Sequence, residues 1–443
     1  MSIHNGAKTV QNGLIFHYDM HDKKSWKGKP TTNLCYQRNP KYLKTSNNYT
    51  KHQYSTDTTF DKNHPGRISF LAANGSTLST MVNTGVNSGN WEVTHHGHFA
   101  YDTELKRPVA IMNDADGQWK AHSFGTGYSL NDLGWTEGTE YSISWLSWTT
   151  RIDKAANAGV YYRRDSDQLR SFYAGQSNSQ STAKNTKPFT WQRVYANFTV
   201  PAGMDLDYKL SIYCYGQYTG RGVVKMADLQ WEAGEASHFV EENNITKPTR
   251  SSTQALLDLA GGHTVTVDNL TYNSDGSFEF VPNGEVAVTH ASDLQPDPAY
   301  TTDFWVWADS SQDNLYPRLI DKATMLVHIT QTSPFTIAQN TQVGTIRQVN
   351  KGSAFAHSTW THISTSYDGQ VGKIYVNGEQ VASTDFGSVV SPNTSTSNMY
   401  IGGNSGTTRQ FTGKIESVKY YNRALSANEV KSNFQALRGR YGV

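Results

Sequence analysis

The chain has 443 residues, with 39 Lys and Arg against 38 Asp and Glu, for a formal net charge of +1. That balance gives no electrostatic footing for nucleic acid or an acidic membrane surface, and the length exceeds one ordinary sandwich domain. Tyr (25), Phe (17), Trp (11) and Gly (36) are plentiful while charged residues reach only 17%, which suits short strands and many turns better than long helices.

The N-terminus, MSIHNGAKTVQNGLIF, has no apolar run of signal-peptide length, and no stretch approaches about 18 apolar residues. The expectation is synthesis in a cytoplasm and no membrane insertion. Leu14, Phe16, Tyr18 and Met20 alternate with positions that turn polar after Ile15, as in a half-buried strand. Residues 26–32, with Gly28 and Pro30, read as a loop. The two cysteines, Cys35 and Cys214, are too few for a disulfide scaffold and fit either buried thiols or one bridge. His96 and His98 would share a strand face. With His95 and only Glu92 nearby, a polar strand face is preferred to a metal site. Asp114-Ala115-Asp116-Gly117 starts like a calcium loop, but the third acid and closing glutamate are missing, so it reads as a turn.

Further period-two stretches run from Tyr141 to Trp148, Val194 to Val200, Leu210 to Tyr215 and Lys373 to Val376. A second loop around Pro248 (residues 244–250) closes a block with its own strand set. Asp275-Gly276, Asp368-Gly369 and Asn377-Gly378 are further turn signals. One helix is expected, at the C-terminus. Ser426 and Glu429 form a capping box, Val430, Phe434 and Leu437 form one apolar stripe, and Arg438 and Arg440 suit the dipole, with Gly439 as the stop.

Trp360-Thr361-His362-Ile363, Tyr367-Asp368-Gly369, Lys373 to Glu379, Tyr400-Ile401-Gly402-Gly403 and Phe411 to Val418 follow one another, closed by Tyr420 to Ser426 and the helix. Through them residues 255–443 resemble the concanavalin A-like, laminin-G-like sandwich family. Asn12 to Met20 looks like the first strand of that sandwich. In structural proteins of tailed bacteriophages such an opening runs straight into a DLSGN-like element and an F-x-F strand. Here Leu257 to Gly262 and Phe278-Glu279-Phe280 match those elements but come much later. An insertion between them follows, since insertions succeed where host chain ends lie close together.

Within the insert, Trp191 to Val194, Phe198 to Pro201, Leu210 to Tyr213 and Val224 to Gly234 lead to Ser237-His238-Phe239. This ending, with Asn33-Leu34 as the opening, resembles carbohydrate-binding modules of the galactose-binding-like jelly-roll type. The expected fold is all-β: two jelly-roll β-sandwiches, one inserted into the other, with a short C-terminal helix. Residues 1–31 and 247–443 form the first, and residues 32–246 the inserted one.

Enzymes of the resembled family use an E-x-D-x-x-E strand, and no such string occurs. Glu232 with Glu235, and Glu241-Glu242, read as solvated surface. Ser405 reads as part of a tight loop rather than a nucleophile elbow. No catalytic residue, metal site or cofactor is assigned, and structural calcium is compatible with both sandwich types. Sugar recognition needs a flat apolar ring beside planar hydrogen-bonding groups. Tyr161 with Arg163, Tyr215 and Tyr218 with Arg221, and Trp119 offer both, against the alternative that alternate aromatics fill the core.

The resulting expectation is a non-enzymatic structural protein of a tailed-phage virion: a capsid decoration, collar or tail-fibre appendage. It would bind other virion proteins and host-surface glycans, with a homo-oligomer allowed, and would leave the cell by lysis. The alternatives are a polysaccharide-degrading glycosidase or depolymerase, and a purely architectural virion protein without sugar affinity.

Overall fold

The computed structural model describes residues 7–34, 51–52, 69–70, 91–94, 98–102, 104–105, 107–113, 120–125, 128–149, 156–163, 169–173, 180–181, 187–216, 223–240, 249–273, 277–310, 312, 315–406 and 408–443. The fold is all-β, with two sandwiches, one inserted into the other, and a C-terminal helix. Two compact units result: Met1–Pro30 with Arg250–Val443, and Thr31–Thr249.

The first unit has two antiparallel sheets. In one, six strands lie in the order Leu14–Asp19, Gly413–Tyr421, Tyr300–Ala308, Thr361–Tyr367, Val371–Val376 and Glu379–Asp385. The other has seven, in the order Val265–Asp268, Glu285–Val288, Met399–Ile401, Arg318–Asp321, Met325–Ile329, Phe335–Val343 and Thr345–Phe355. Because side chains alternate across a strand, one set from each sheet meets in the core. Phe304, Ile363, Val418 and Ile374 come from the first, and Val286, Ile320, Val327 and Ile337 from the second. Asn377 and Gly378 both take positive φ, 50° and 80°, the geometry that lets a two-residue hairpin follow the strand twist.

The opening strand pairs antiparallel with the last one, Tyr18 facing Val418 and Asp19 facing Ser417. Asp258 fixes its other side. One carboxylate oxygen takes the His17 and Ala260 amides, both at 2.9 Å, and the other takes Gly261 N–H at 2.9 Å and His263 Nδ1 at 2.7 Å. The chain leaves this unit beside the point of its return. Lys27 N–H donates to Ala255 O at 2.8 Å, and Arg250 donates to Lys29 O at 3.0 Å.

The second unit pairs a six-stranded sheet with a five-stranded one. Tyr141, Ile143 and Trp145, at alternate positions of Glu140–Thr149, point into a core with Val194, Phe198, Ile212 and Trp231. Its first described residues lie along the strand that ends it. Leu34 N–H donates to Trp231 O at 2.7 Å, and Asn33 bonds Leu229 O at 3.2 Å and Trp231 N–H at 3.3 Å. Glu232, expected on the solvated surface, is fully buried instead. Its carboxylate takes Gln230 Nε2 at 2.6 Å and the Ser237 amide and hydroxyl at 2.8 Å each, donors that repay its desolvation.

The outer face of the first unit's six-stranded sheet is polar yet buried. Asp303 has no exposure. Its carboxylate meets His362 Nε2 at 2.9 Å, Asn433 Nδ2 at 3.2 Å and Lys419 Nζ at 3.4 Å. Burial works to raise its pKa, but the charges of His362 and Lys419 and the hydrogen bonds outweigh it, holding the carboxyl well below the usual range. The helix Ala427–Tyr441 supplies Asn433 and stacks Tyr441 on Trp305 at 4.2 Å between ring centroids. Ser426 and Glu429 cap its start as expected. Its stop is Gly442, at φ 72°, rather than Gly439, so the last turn reaches far enough for Arg440 to grip Asp19 at 2.7 Å. Two four-residue helical turns, Leu130–Leu133 and Ser252–Ala255, add to the expected single helix.

Replacing Asp303 with Asn leaves the Lys419 ammonium buried without its carboxylate. Urea unfolding of the full chain should show a loss of about 3–5 kcal/mol; a loss under about 1 kcal/mol would remove the cluster as a structural determinant.

Candidate functional site

Of the residues singled out for sugar contact, Trp119, Tyr218 and Arg221 lie outside the described residues. Tyr161 and Arg163 stand two positions apart on Ala156–Arg163, opposite Ser171 and Leu169. Tyr215 is on the neighbouring strand Ser211–Gly216, opposite Asn157. At strand rise that is about 13 Å along the sheet from Tyr161, so these residues share a sheet but no single row. His98 opens the strand His98–Asp102, while His95, His96, Cys35, Asp114 to Gly117, Glu241 and Glu242 fall outside the described residues. Among the described residues no three His, Cys, Asp or Glu side chains are grouped to hold a metal, and no helix is long and apolar enough to cross a membrane.

A different constellation forms on the outer face of the first unit's seven-stranded sheet. Met325, Val327 and Ile329 are buried in the core, so the pleat turns Leu326 and His328 to the other side. Register carries that outward row across the sheet: Tyr400 faces Asp321, Asp321 faces Leu326, Leu326 faces Asn340, and Asn340 faces Gln348. One step along, Arg318 faces His328. Gln348 donates to Asn340 Oδ1 at 2.9 Å, so planar amides border the row.

Tyr316 supplies the flat ring. It is 44% exposed and meets the His328 imidazole edge-on, with centroids 5.2 Å apart. The Arg409 guanidinium lies over the same ring at 5.0 Å. Arg318 pairs with Asp321 through Nε at 3.1 Å and donates its amide to Arg409 O at 2.9 Å. Arg409 itself takes φ 65°, a left-handed conformation that a non-glycine residue holds only when its surroundings impose it. The loop's base does so. Gly402 N–H donates to Leu319 O at 3.3 Å, and Phe411 N–H donates to Gly402 O at 2.9 Å. Gly402 has φ 77° and lies where a Cβ would stand 2.1 Å from the Phe280 ring, so only glycine fits there.

The electrostatics are those of a cationic patch with a neutral histidine. Burial, and then the charges of Arg318 and Arg409, push His328 down to about 4. Burial raises the Asp321 carboxyl, against its bonds to Arg318 and the Ala323 amide. Glu285 is also raised by burial and accepts the Ser405 amide at 3.1 Å, which places Ser405 in the tight loop expected of it. The sequence reading missed Tyr316, Arg318, His328 and Arg409. The available signal was Leu315-Tyr316, two large side chains just before Pro317 in a polar loop.

The insert shows its own outward aromatics on the six-stranded sheet. Lys225 lies 4.3 Å over the Trp148 ring and pairs with Asp102 at 2.7 Å. Phe189, 65% exposed, meets Trp148 edge-on at 5.7 Å.

Residues 281–431 match the family model described as the concanavalin A-like lectin/glucanases superfamily, and the Tyr316 face lies inside that match. Pappalysin-1 of Mus musculus is similar at 24% identity, over 32% of this chain and 10% of its own length. Among solved structures, the binding domain of botulinum neurotoxin DC in complex with rat synaptotagmin II is similar at 14% identity. The match covers 42% of this chain and 50% of that one, with a TM-score of 0.33. For the same binding domain in complex with SialylT the values are 16%, 42%, 50% and 0.33. The chain thus spans about a tenth of the curated relative and half of each toxin domain.

His328 also makes a pH test. Its folded pKa of about 4 lies below the ordinary 6.5, so the unfolded chain binds the extra proton between those values. This group's contribution is therefore full above 6.5 and is lost as pH falls toward 4. His328→Gln should flatten the drop in Tm between about pH 7 and about pH 4.5. An identical drop in both proteins would place the titration elsewhere.

Proposed function

We propose that the first unit is a lectin-like carbohydrate-binding module and that the chain acts by adhesion, without catalysis. The observation that carries this reading is the exposed Tyr316 ring, framed by Arg409, Arg318 and His328 on the outer face of a sandwich sheet. A ring of that kind takes the C–H face of a pyranose, and the planar groups around it reach hydroxyls. The family match over residues 281–431 supports it, since the site is built from strands inside the match. Against hydrolysis stands the engagement of two of the acids on this face: Asp321 is held by Arg318 and the Ala323 amide, and Glu285, which faces Asp268 across the strand pair, by the Ser405 amide.

The finer reading, a tailed-phage virion appendage that binds other virion proteins and host-surface glycans, is supported by the motif resemblance of the opening strand and of the insert's ending. In it the insert adds a second adhesive surface around Trp148 and Phe189.

On a glycan array the chain should bind at least one oligosaccharide class. Tyr316→Ala should weaken that binding about tenfold, with unchanged circular dichroism, because stacking and its flanking contacts are worth on the order of 1.4 kcal/mol. Release of reducing sugar from a bound polysaccharide, abolished by Asp321→Asn, would instead make the protein a glycosidase.

A further inference from the structure

We infer that the Tyr316 face selects an acidic sugar residue, whose ring stacks on Tyr316 and whose oxyanion, carboxylate or sulfate, is taken by Arg409 with Arg318. This deepens the glycan reading and rests on it. The argument starts from charge matching. Arg318 is neutralised by Asp321 at 3.1 Å, whereas no carboxylate among the described residues lies within ion-pair distance of Arg409. Glu285 is turned to the Ser405 amide, and Asp268 faces Glu285 across the neighbouring strand. Among the described residues, with His328 neutral, the patch carries one uncompensated positive charge beside an exposed aromatic ring.

Geometry adds to charge. The left-handed backbone of Arg409 places its carbonyl on the Arg318 amide, which ties the two arginines to one another at 2.9 Å through the main chain. Both guanidiniums reach the same residue: Arg318 Nη1 lies 3.4 Å from Tyr316 O, and the Arg409 guanidinium 5.0 Å over the Tyr316 ring. Two planar forks converging near one ring suit an oxyanion on a pyranose better than scattered hydroxyls do. A neutral sugar would leave the Arg409 charge unanswered.

The test uses the full chain on an array carrying neutral, uronic-acid, sialylated and sulfated oligosaccharides, with affinities then measured in solution for the best acidic glycan and its neutral counterpart. The acidic member should bind about tenfold more tightly at low salt, the scale of one charge-assisted hydrogen bond. Added salt should narrow that gap. Arg409→Gln should bring the two ligands to nearly equal affinity by weakening the acidic one far more than the neutral one. Arg409→Lys should restore only part of the preference, because it keeps the charge and loses the fork. The carboxylated and sulfated arms show which oxyanion is read. Equal or stronger binding of neutral glycans would overturn the acidic-sugar inference while leaving the glycan reading standing, as would a preference untouched by Arg409→Gln. Silence across the whole array would overturn both.

Discussion

A carboxylate with no exposure obliges its surroundings to answer it, and at Asp303 the answer comes from distant parts of the chain. His362 arrives from the neighbouring strand, Lys419 from the closing strand, and Asn433 from the C-terminal helix. Asn433 then uses its oxygen for the Val10 amide at 2.8 Å, while Tyr421 donates its hydroxyl to Val10 O at 3.1 Å. The helix is therefore more than an apolar lid. It is the element that brings a polar partner to a polar sheet face, and its capping box and last-turn arginine set where that partner lands. Such a cluster costs desolvation on every member, so its return lies in fixing one arrangement rather than in net stability.

That arrangement has a consequence for the opposite sheet. One face of the six-stranded sheet is closed by the helix and the other is packed in the core, whereas the outer face of the seven-stranded sheet carries the exposed Tyr316 ring. The Tyr316 constellation occupies it. Its precision is inherited from the core: Phe280 fills the space beside Gly402, and that glycine begins the loop that ends by placing Arg409 over Tyr316.

Much of the scaffold was legible because its signals are local. The alternation from Leu14 to Met20, the Asn377-Gly378 turn and the Ser426–Glu429 box each depend on residues within a few positions. The helix stop was misplaced by three residues because Gly439 and Gly442 are equivalent as letters; Tyr441 packing on Trp305 decides between them. Glu232 reads as surface in any window, and its burial depends on donors that include Gln230 and Ser237, which folds back on it. The candidate site was the least legible. Arg409 meets Tyr316 through strand register and a strained backbone, and neither leaves a local pattern. Tyr161, Arg163 and Tyr215 were chosen for residue type alone, and composition does not say which row of a sheet they join.

The pairing of the first strand with the last also sets a timetable. Leu14 meets Tyr421 across about 400 residues of chain. At the roughly 5–20 residues per second of translation, that is about 20–80 s before its partner emerges from the ribosome. Until the Asp258 segment emerges, and with no strand partner until the end of that interval, Leu14–Asp19 stands with Phe16 and Tyr18 on one face while the insert is synthesised behind it. Its brevity, and His17 and Asp19 at the alternate positions, are what keep a nascent segment of this kind from pairing with the wrong neighbour.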